Sequence, residues 1–574
     1  MPATFEQSFM KALFHGVIAD DMIFPFPETP RDERENVGIL LDTVRRYFAA
    51  NVDSAKIDRE HEIGAEVLSG LKGMGLFGLQ IPTEYGGSGL STHSYLRVMQ
   101  EIAGRDSAIA VTLGAHQSIG LKALLLFGSP ELKQRYLPQL ATGEKVAAFA
   151  LTEPGAGSDA AGIKTHAELS ADESHFVLNG SKIWITNGGF ADVFTVFART
   201  SPREEGKKPR ITAFLVERGP GVTSGPNEHK LGIRGSSTTE VFFEDVKVPR
   251  ANVLGEVGKG FKVAMEVLNS GRLGLAAGCV GLGTTLIKMA LDRVQERRAF
   301  GRPIGDFGMI KDKIATMMAS VYALESMTYL TAGMVDAKTD YSIESAICKV
   351  AGSETIWHVV NETLQIAAGI GYMTEYPYER MLRDARINLI FEGTNEILRA
   401  FIALSGMAGP GKALVDVAKA MREPIKGFGL LSDFAVRKAR SMLGRERVGR
   451  AHPLLSREAV IFEEYAGELA AQTEALLRKH GRDIAEMQLA QRRTADTAID
   501  LYAVAACIAR TSRAIERRGE EGARRELDLT TIFTAMAHKR LRQNLSDYQK
   551  NDDELRKAVA ARAYQDGAYP FDML

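Results

Sequence analysis

The spacing of apolar residues changes twice along the chain. From 36 to 147 they recur every three or four positions, over Val37–Phe48, Val67–Phe77 and Tyr95–Ile102, which predicts amphipathic helices. Glycine-rich breaks such as Tyr85-Gly-Gly-Ser-Gly89 separate them. Near Ala148 the pattern becomes alternating. Phe176 and Leu178 stand between polar neighbours, Asn179-Gly180 predicts a hairpin turn, and Lys182–Thr186 alternates again. Val193–Phe197, Ile211–Val216 and Val241–Phe243 are further short strand-like runs, with no ordinary helix between them, which argues against a parallel βαβ sheet. Helical spacing returns with Phe261, Met265 and Leu268 on one face and continues to about Leu404. Ser405-Gly-Met-Ala-Gly-Pro-Gly-Lys412 predicts a break before a second helical region with Ile499, Tyr502 and Ala506 on one face. The expected class is α+β, mainly α. Its parts are an extension (1–35), a helical domain (36–147), a β domain (148–258), a helical bundle (259–405), a linker (406–430) and an additional helical domain (431–574).

Composition narrows the function classes. A chain of 574 residues exceeds the ~250–300 at which single cores stop growing, so several domains are expected. With 45% hydrophobic and 25% charged residues it is neither disordered nor fibrous. Lys+Arg 71 against Asp+Glu 72 leaves a charge of -1, and no basic field to gather nucleic acid. Cys279, Cys348 and Cys507 stand far apart, which excludes a disulfide scaffold or zinc ribbon and fits a reducing compartment. The histidines show no ligand spacing, so no metal is expected. The longest charge-free apolar stretch, Leu273–Ile287, falls short of the ~20 residues of a membrane span, so none is expected. The N-terminus carries Glu6, Asp20 and Asp21 and reads as neither secretory signal nor transit peptide.

Three motifs carry candidate chemistry. Ala150-Leu-Thr-Glu-Pro-Gly-Ala-Gly-Ser-Asp159 leaves backbone N–H groups uncovered and adds two hydroxyls, a cradle for a phosphate or the polar edge of a flavin, or simply a turn into the β domain. Lys182-Ile-Trp-Ile-Thr-Asn-Gly-Gly189 sets a tryptophan in a strand before a turn, either against a planar cofactor or in a core. In Phe391-Glu-Gly-Thr-Asn-Glu-Ile397, Glu392 follows an apolar run and precedes a helix that Thr394 or Asn395 could cap. A carboxylate entering an apolar cleft gains the proton affinity of a general base; the alternative is a first-turn Glu facing the helix dipole.

In order and spacing these motifs, with Lys230-Leu-Gly-Ile-Arg-Gly-Ser-Ser-Thr-Thr-Glu240 and Gln295-Glu-Arg-Arg-Ala-Phe-Gly301, resemble the acyl-CoA dehydrogenase family over about 35–405. Met22-Ile-Phe-Pro-Phe-Pro27, Thr112-Leu-Gly-Ala-His-Gln-Ser-Ile-Gly120 and the added helical region resemble its very-long-chain subgroup. The resemblance implies an N-terminal helical domain, a central β-barrel-like domain and a four-helix bundle around FAD and acyl-CoA. It implies that Phe149, Leu151, Thr152, Gly157, Ser158, Trp184, Ile185 and Thr186 line the flavin, with Ser158 also meeting substrate. Arg297 and Phe300 would reach a neighbouring subunit's FAD, Gln365, Ile366, Ala367, Ala368 and Gly369 would hold its nucleotide end, and Thr394, Asn395 and Glu396 would close on the cofactor. Family members carry Gly-Gly where this chain has Ala368-Gly369, which puts the contact at Ala368 in question.

One branch of the family places its catalytic Glu at the position of Gly271; glycine takes no proton, which leaves Glu392 as the implied base. Arg272 would orient its loop, and Asn269 and Gly393 would contact the acyl-CoA. The implied reaction gives trans-2-enoyl-CoA, with electrons leaving to electron-transfer flavoprotein. Ala108, Ala110 and Gly114 could leave room for a long acyl tail or serve close helix packing. Across 437–457 seven Arg/Lys and one acid make a basic stretch, with Val436, Ala439 and Leu443 on one face, and a peripheral membrane contact through 434–457 is expected, against a solvated loop. The subgroup further implies a homodimer; the expected setting is the bacterial cytoplasm, with a peripheral contact on the inner membrane, the alternative being a processed mitochondrial form. An acyl-CoA oxidase and a respiratory-complex assembly scaffold are the rival readings.

Overall fold

A computed structural model describes residues 8–201, 209–422 and 446–573. In the first helical region four helices start where a short polar side chain caps them. Asp53, Ser91, Asp106 and Ser129 accept from backbone N–H groups at the starts of Ser54–Glu60, Thr92–Ala103, Ser107–Gly114 and Pro130–Thr142. Ser107–Gly114 runs on into a π-helical turn, Ala115–Gly120.

The sheet comprises β1 (Ala147–Ala150), β2 (His166–Leu169), β3 (His175–Thr186), β4 (Val193–Arg199), β5 (Ile211–Glu217), β6 (Val222–Ser224), β7 (Thr238–Pro249) and β8 (Val253–Leu254). Their order is β6-β7-β3-β2-β4-β5-β8, with β1 parallel to β4 and most other pairs antiparallel. The hairpin expected at Asn179-Gly180 does not form: β3 runs through both residues. Its pairing with β7 shifts register there, and a Cβ on Gly180 would lie 2.4 Å from Thr165 Oγ1. The glycine marks a bulge under a close backbone approach.

Long helices follow: Gly260–Glu296, Gly308–Asp336, Ser342–Ala367 and Asn395–Arg422, then Ser456–His480, Gln488–Gly522, Arg524–Gln549 and Asp553–Asp566. The chain is thus mainly helical around a central sheet. In the first of these helices the core face is Val263, Ala264 and Val267, while Phe261 is exposed and Met265 and Leu268 are half-buried. The break expected at 405–412 is also absent, since one helix passes through Pro410. Its glycines serve contact: a Cβ on Gly406 would meet the Phe14 ring at 2.4 Å, and one on Gly409 would meet His15 Nε2 at 2.5 Å.

The helix Phe9–Phe14 is held in this core. Buried Glu344 accepts from Ser8 Oγ and Met10 N, both at 2.9 Å, and Phe9 stacks on Phe462 and tilts against Tyr502. The C-terminal helices share the bundle's core, where the Tyr502 and Thr331 hydroxyls, like those of Tyr322 and Thr511, are 2.7 Å apart. Two helical stretches, Ser107–Phe127 and Gly260–Glu296, are long and apolar enough to cross a membrane, but both are core elements with over half of their apolar windows buried. Of the expected basic stretch, 434–445 lies outside the described residues; beyond it, Arg450 donates to Phe24 O at 2.7 Å.

Candidate active site

After the helix Tyr378–Arg386 the run Ile387–Phe391 ends in a reversal, with Glu392 at φ 61° and Gly393 at φ 93°, before the helix at Asn395. The reversal turns the Glu392 side chain into a cleft against the Ser107–Gly120 segment and the Gly260–Glu296 helix. Its walls are Ala110, Gly114, Ile119, Gly274, Leu275 and Phe391, with Thr186 from the end of β3. Ala108 turns away, toward Gly235. Glu392 Oε2 is buried and has no hydrogen-bond partner. Burial pushes the carboxyl up to about 7, against the pull of Arg272 and Lys349. Gly271 makes room for it, since a Cβ there would lie 2.8 Å from Glu392 Oε2.

Two buried cations hold the reversal. Arg272 donates to Glu392 O at 3.2 Å and Asn269 Oδ1 at 3.1 Å, its guanidinium over the Phe401 ring. Lys349 donates to Gly393 O at 2.7 Å and Asn395 Oδ1 at 2.8 Å. The Asn395 amide donates to Ser353 and Glu354, so its side chain is spent within the protein and only its backbone is left for a cofactor. The sequence reading missed Lys349. Its signal was one charge inside the apolar run Ile347-Cys348-Lys349-Val350 of a helix. Thr394 Oγ1 accepts from Ile397 N at 3.4 Å, and Glu396 is exposed.

On the sheet side, buried Lys182 on β3 bonds Glu153 Oε1 at 2.7 Å and Leu151 O at 3.0 Å, fixing the start of the 151–158 loop. Leu151 and Ile185 point into the core, so only their backbones face outward, and Phe149 is half-buried against Phe197. A Cβ on Gly155 or Gly157 would meet nothing within 4 Å, and Ser158 is exposed. Trp184 is 64% exposed at φ 55°. An uncovered indole, an open glycine loop and Thr186 on the Glu392 cleft together fit residues that would hold a planar cofactor. Arg297, Gln365, Ala368 and Gly369 are exposed, as is Phe300 at 94%; Ile366 and Ala367 are buried; and none of them, nor Ser158, lines this cleft.

Residues 35–144, 148–246 and 258–407 match the acyl-CoA dehydrogenase N-terminal, middle and C-terminal domains. The chain belongs to the acyl-CoA dehydrogenase family. Residues 453–569 match the ACAD9/ACADV C-terminal domain. Among acyl-CoA dehydrogenases, the mitochondrial very long-chain specific enzyme of Homo sapiens is 44% identical over 555 residues, 95% of this chain and 85% of the relative. These two likenesses put the chain in the very-long-chain subgroup. The crystal structure of an acyl-CoA dehydrogenase complexed with FAD from Bacillus anthracis is similar throughout, with TM-score 0.80 and 33% identity over 98% of this chain and 96% of that one. Butyryl-CoA dehydrogenase from Megasphaera elsdenii, with TM-score 0.63 and 36% identity, covers 66% of this chain and 99% of its own.

Proposed function

We propose that this protein is a FAD-dependent acyl-CoA dehydrogenase that converts long and very-long-chain acyl-CoA to trans-2-enoyl-CoA in fatty-acid β-oxidation. The observation that carries the reading is the buried, unpartnered Oε2 of Glu392 in an apolar cleft shared with Thr186. Held by the 151–158 loop, Trp184 and Thr186, FAD would supply an acceptor for the β-hydrogen with its electron pair. Glu392 removes the α-proton. Its proton affinity, raised by burial, suits a weakly acidic carbon, and the apolar walls keep water from it. The Glu392 N–H has no acceptor among the described residues and is left to donate to the thioester oxygen, where negative charge develops. Arg272 orients the loop, Asn269 and Gly393 lie along the acyl-CoA, and Ala110 and Gly114 leave space for the tail. The 151–158 loop, Trp184 and Thr186 hold the flavin.

Phe300, 94% exposed, supports a homodimer in which a second copy covers that surface. Electron-transfer flavoprotein is the proposed acceptor. The proposed setting is a bacterial inner-membrane face reached through 434–457, with cosedimentation on anionic vesicles as its check. Anaerobic titration with acyl-CoAs from C4 to C20, followed by flavin bleaching, tests the function. Glu392→Gln is expected to slow bleaching by about 10²–10⁴-fold with flavin content unchanged. Bleaching of that variant at the native rate would overturn the assignment.

A further inference from the structure

Consecutive carbonyls at the base-bearing reversal each rest on a different buried cation: Glu392 O on Arg272 and Gly393 O on Lys349. Glu392 has φ 61°, a left-handed conformation that a residue with a side chain keeps only where its surroundings impose it, and Gly393 continues the turn at φ 93°. Lys349 is wholly buried and comes from the neighbouring helix Ser342–Ala367. It reaches the loop through two acceptors, and the second, Asn395, is itself locked by Ser353 and Glu354. A lysine buried at that depth is held by more than packing, since an uncompensated ammonium in an apolar core is costly.

We infer that Lys349 is a positioning residue for the reaction, which pins the Glu392–Gly393 reversal and supplies the positive field that keeps the base ionised when substrate arrives. The inference rests on Glu392 being the base. Charged groups facing that carboxylate are Arg272 from the Gly260–Glu296 helix and Lys349 from Ser342–Ala367. Asp384 from Tyr378–Arg386 opens on the same cleft, while the Ser107–Gly120 wall carries no charge there. Lys349 in turn faces Glu392, Cys279, Arg272 and Glu396. Burial draws its ammonium down to about 8, and the carboxylate opposes that loss. Arg272 bonds the same loop, so removing Lys349 takes away charge while one anchor stays.

The test is the pH dependence of flavin reduction in holoenzyme mixed anaerobically with one long-chain acyl-CoA. Activity requires ionised Glu392 and falls as pH drops through its titration. Lys349→Met is expected to move that acid limb up by about one pH unit, and Lys349→Arg, which keeps the charge, to restore it. Should Lys349→Met not yield holoenzyme, Asn395→Asp sets a carboxylate against the ammonium and is expected to move the limb the same way. A limb that stays in place in whichever variant is measured, or one that Lys349→Arg moves as far as Lys349→Met, overturns the inference. A limb that persists in Glu392→Gln instead overturns the assignment of the base, a separate failure.

Discussion

Glu392 and Gly271 contest one space. Gly271→Ala would set a methyl carbon 2.8 Å from the carboxylate, so the base must swing aside. We expect at least about a tenfold fall in kcat, as befits a misplaced general base, with flavin content and Tm held, read by steady-state kinetics and absorbance. Ala368 offers the opposite effect. At φ 55° and ψ −134° it occupies backbone territory suited to glycine. Ala368→Gly should therefore raise stability by about 1–3 kcal/mol, measured by calorimetry. Residues that work within a contiguous motif were legible in the sequence, Glu392 and Gly393 among them. Lys349 was not, because its acceptors lie 44 and 46 residues away and no local pattern joins them.

Periodicity found the elements, and glycine misled where it was read as punctuation. Asn179-Gly180 and Ser405–Lys412 both look like stops, yet a strand crosses the first and a helix the second. In each case the missing side chain admits a neighbour, Thr165 in one and Phe14 in the other, and sequence pattern carries no sign of which neighbour will come. Gly406→Ala should then dislodge the N-terminal helix. Hydrogen exchange over 8–15 is expected to quicken in that variant, while β3 stays as protected as before.

Across the whole molecule three buried carboxyls, Glu344, Asp384 and Glu392, are each pushed up to about 7 by burial. Each folded value lies above the unfolded one, near 4. Their contribution to stability is therefore full below about pH 4 and is lost as pH rises toward 7. Glu344→Gln keeps an acceptor for Ser8 and Met10 but has no charge to bury. Its Tm is expected to match the native protein at pH 4 and exceed it at pH 8, measured by thermal unfolding across that range. The contact of Phe9 with Phe462 and Tyr502 has its own consequence for how the molecule is made. Phe9 is synthesised 453 and 493 residues ahead of these two partners, a wait of roughly 25 to 100 seconds at 5–20 residues per second. Until then Phe9 is a sticky spot on the growing polypeptide, and this core can close only after Tyr502 has been made.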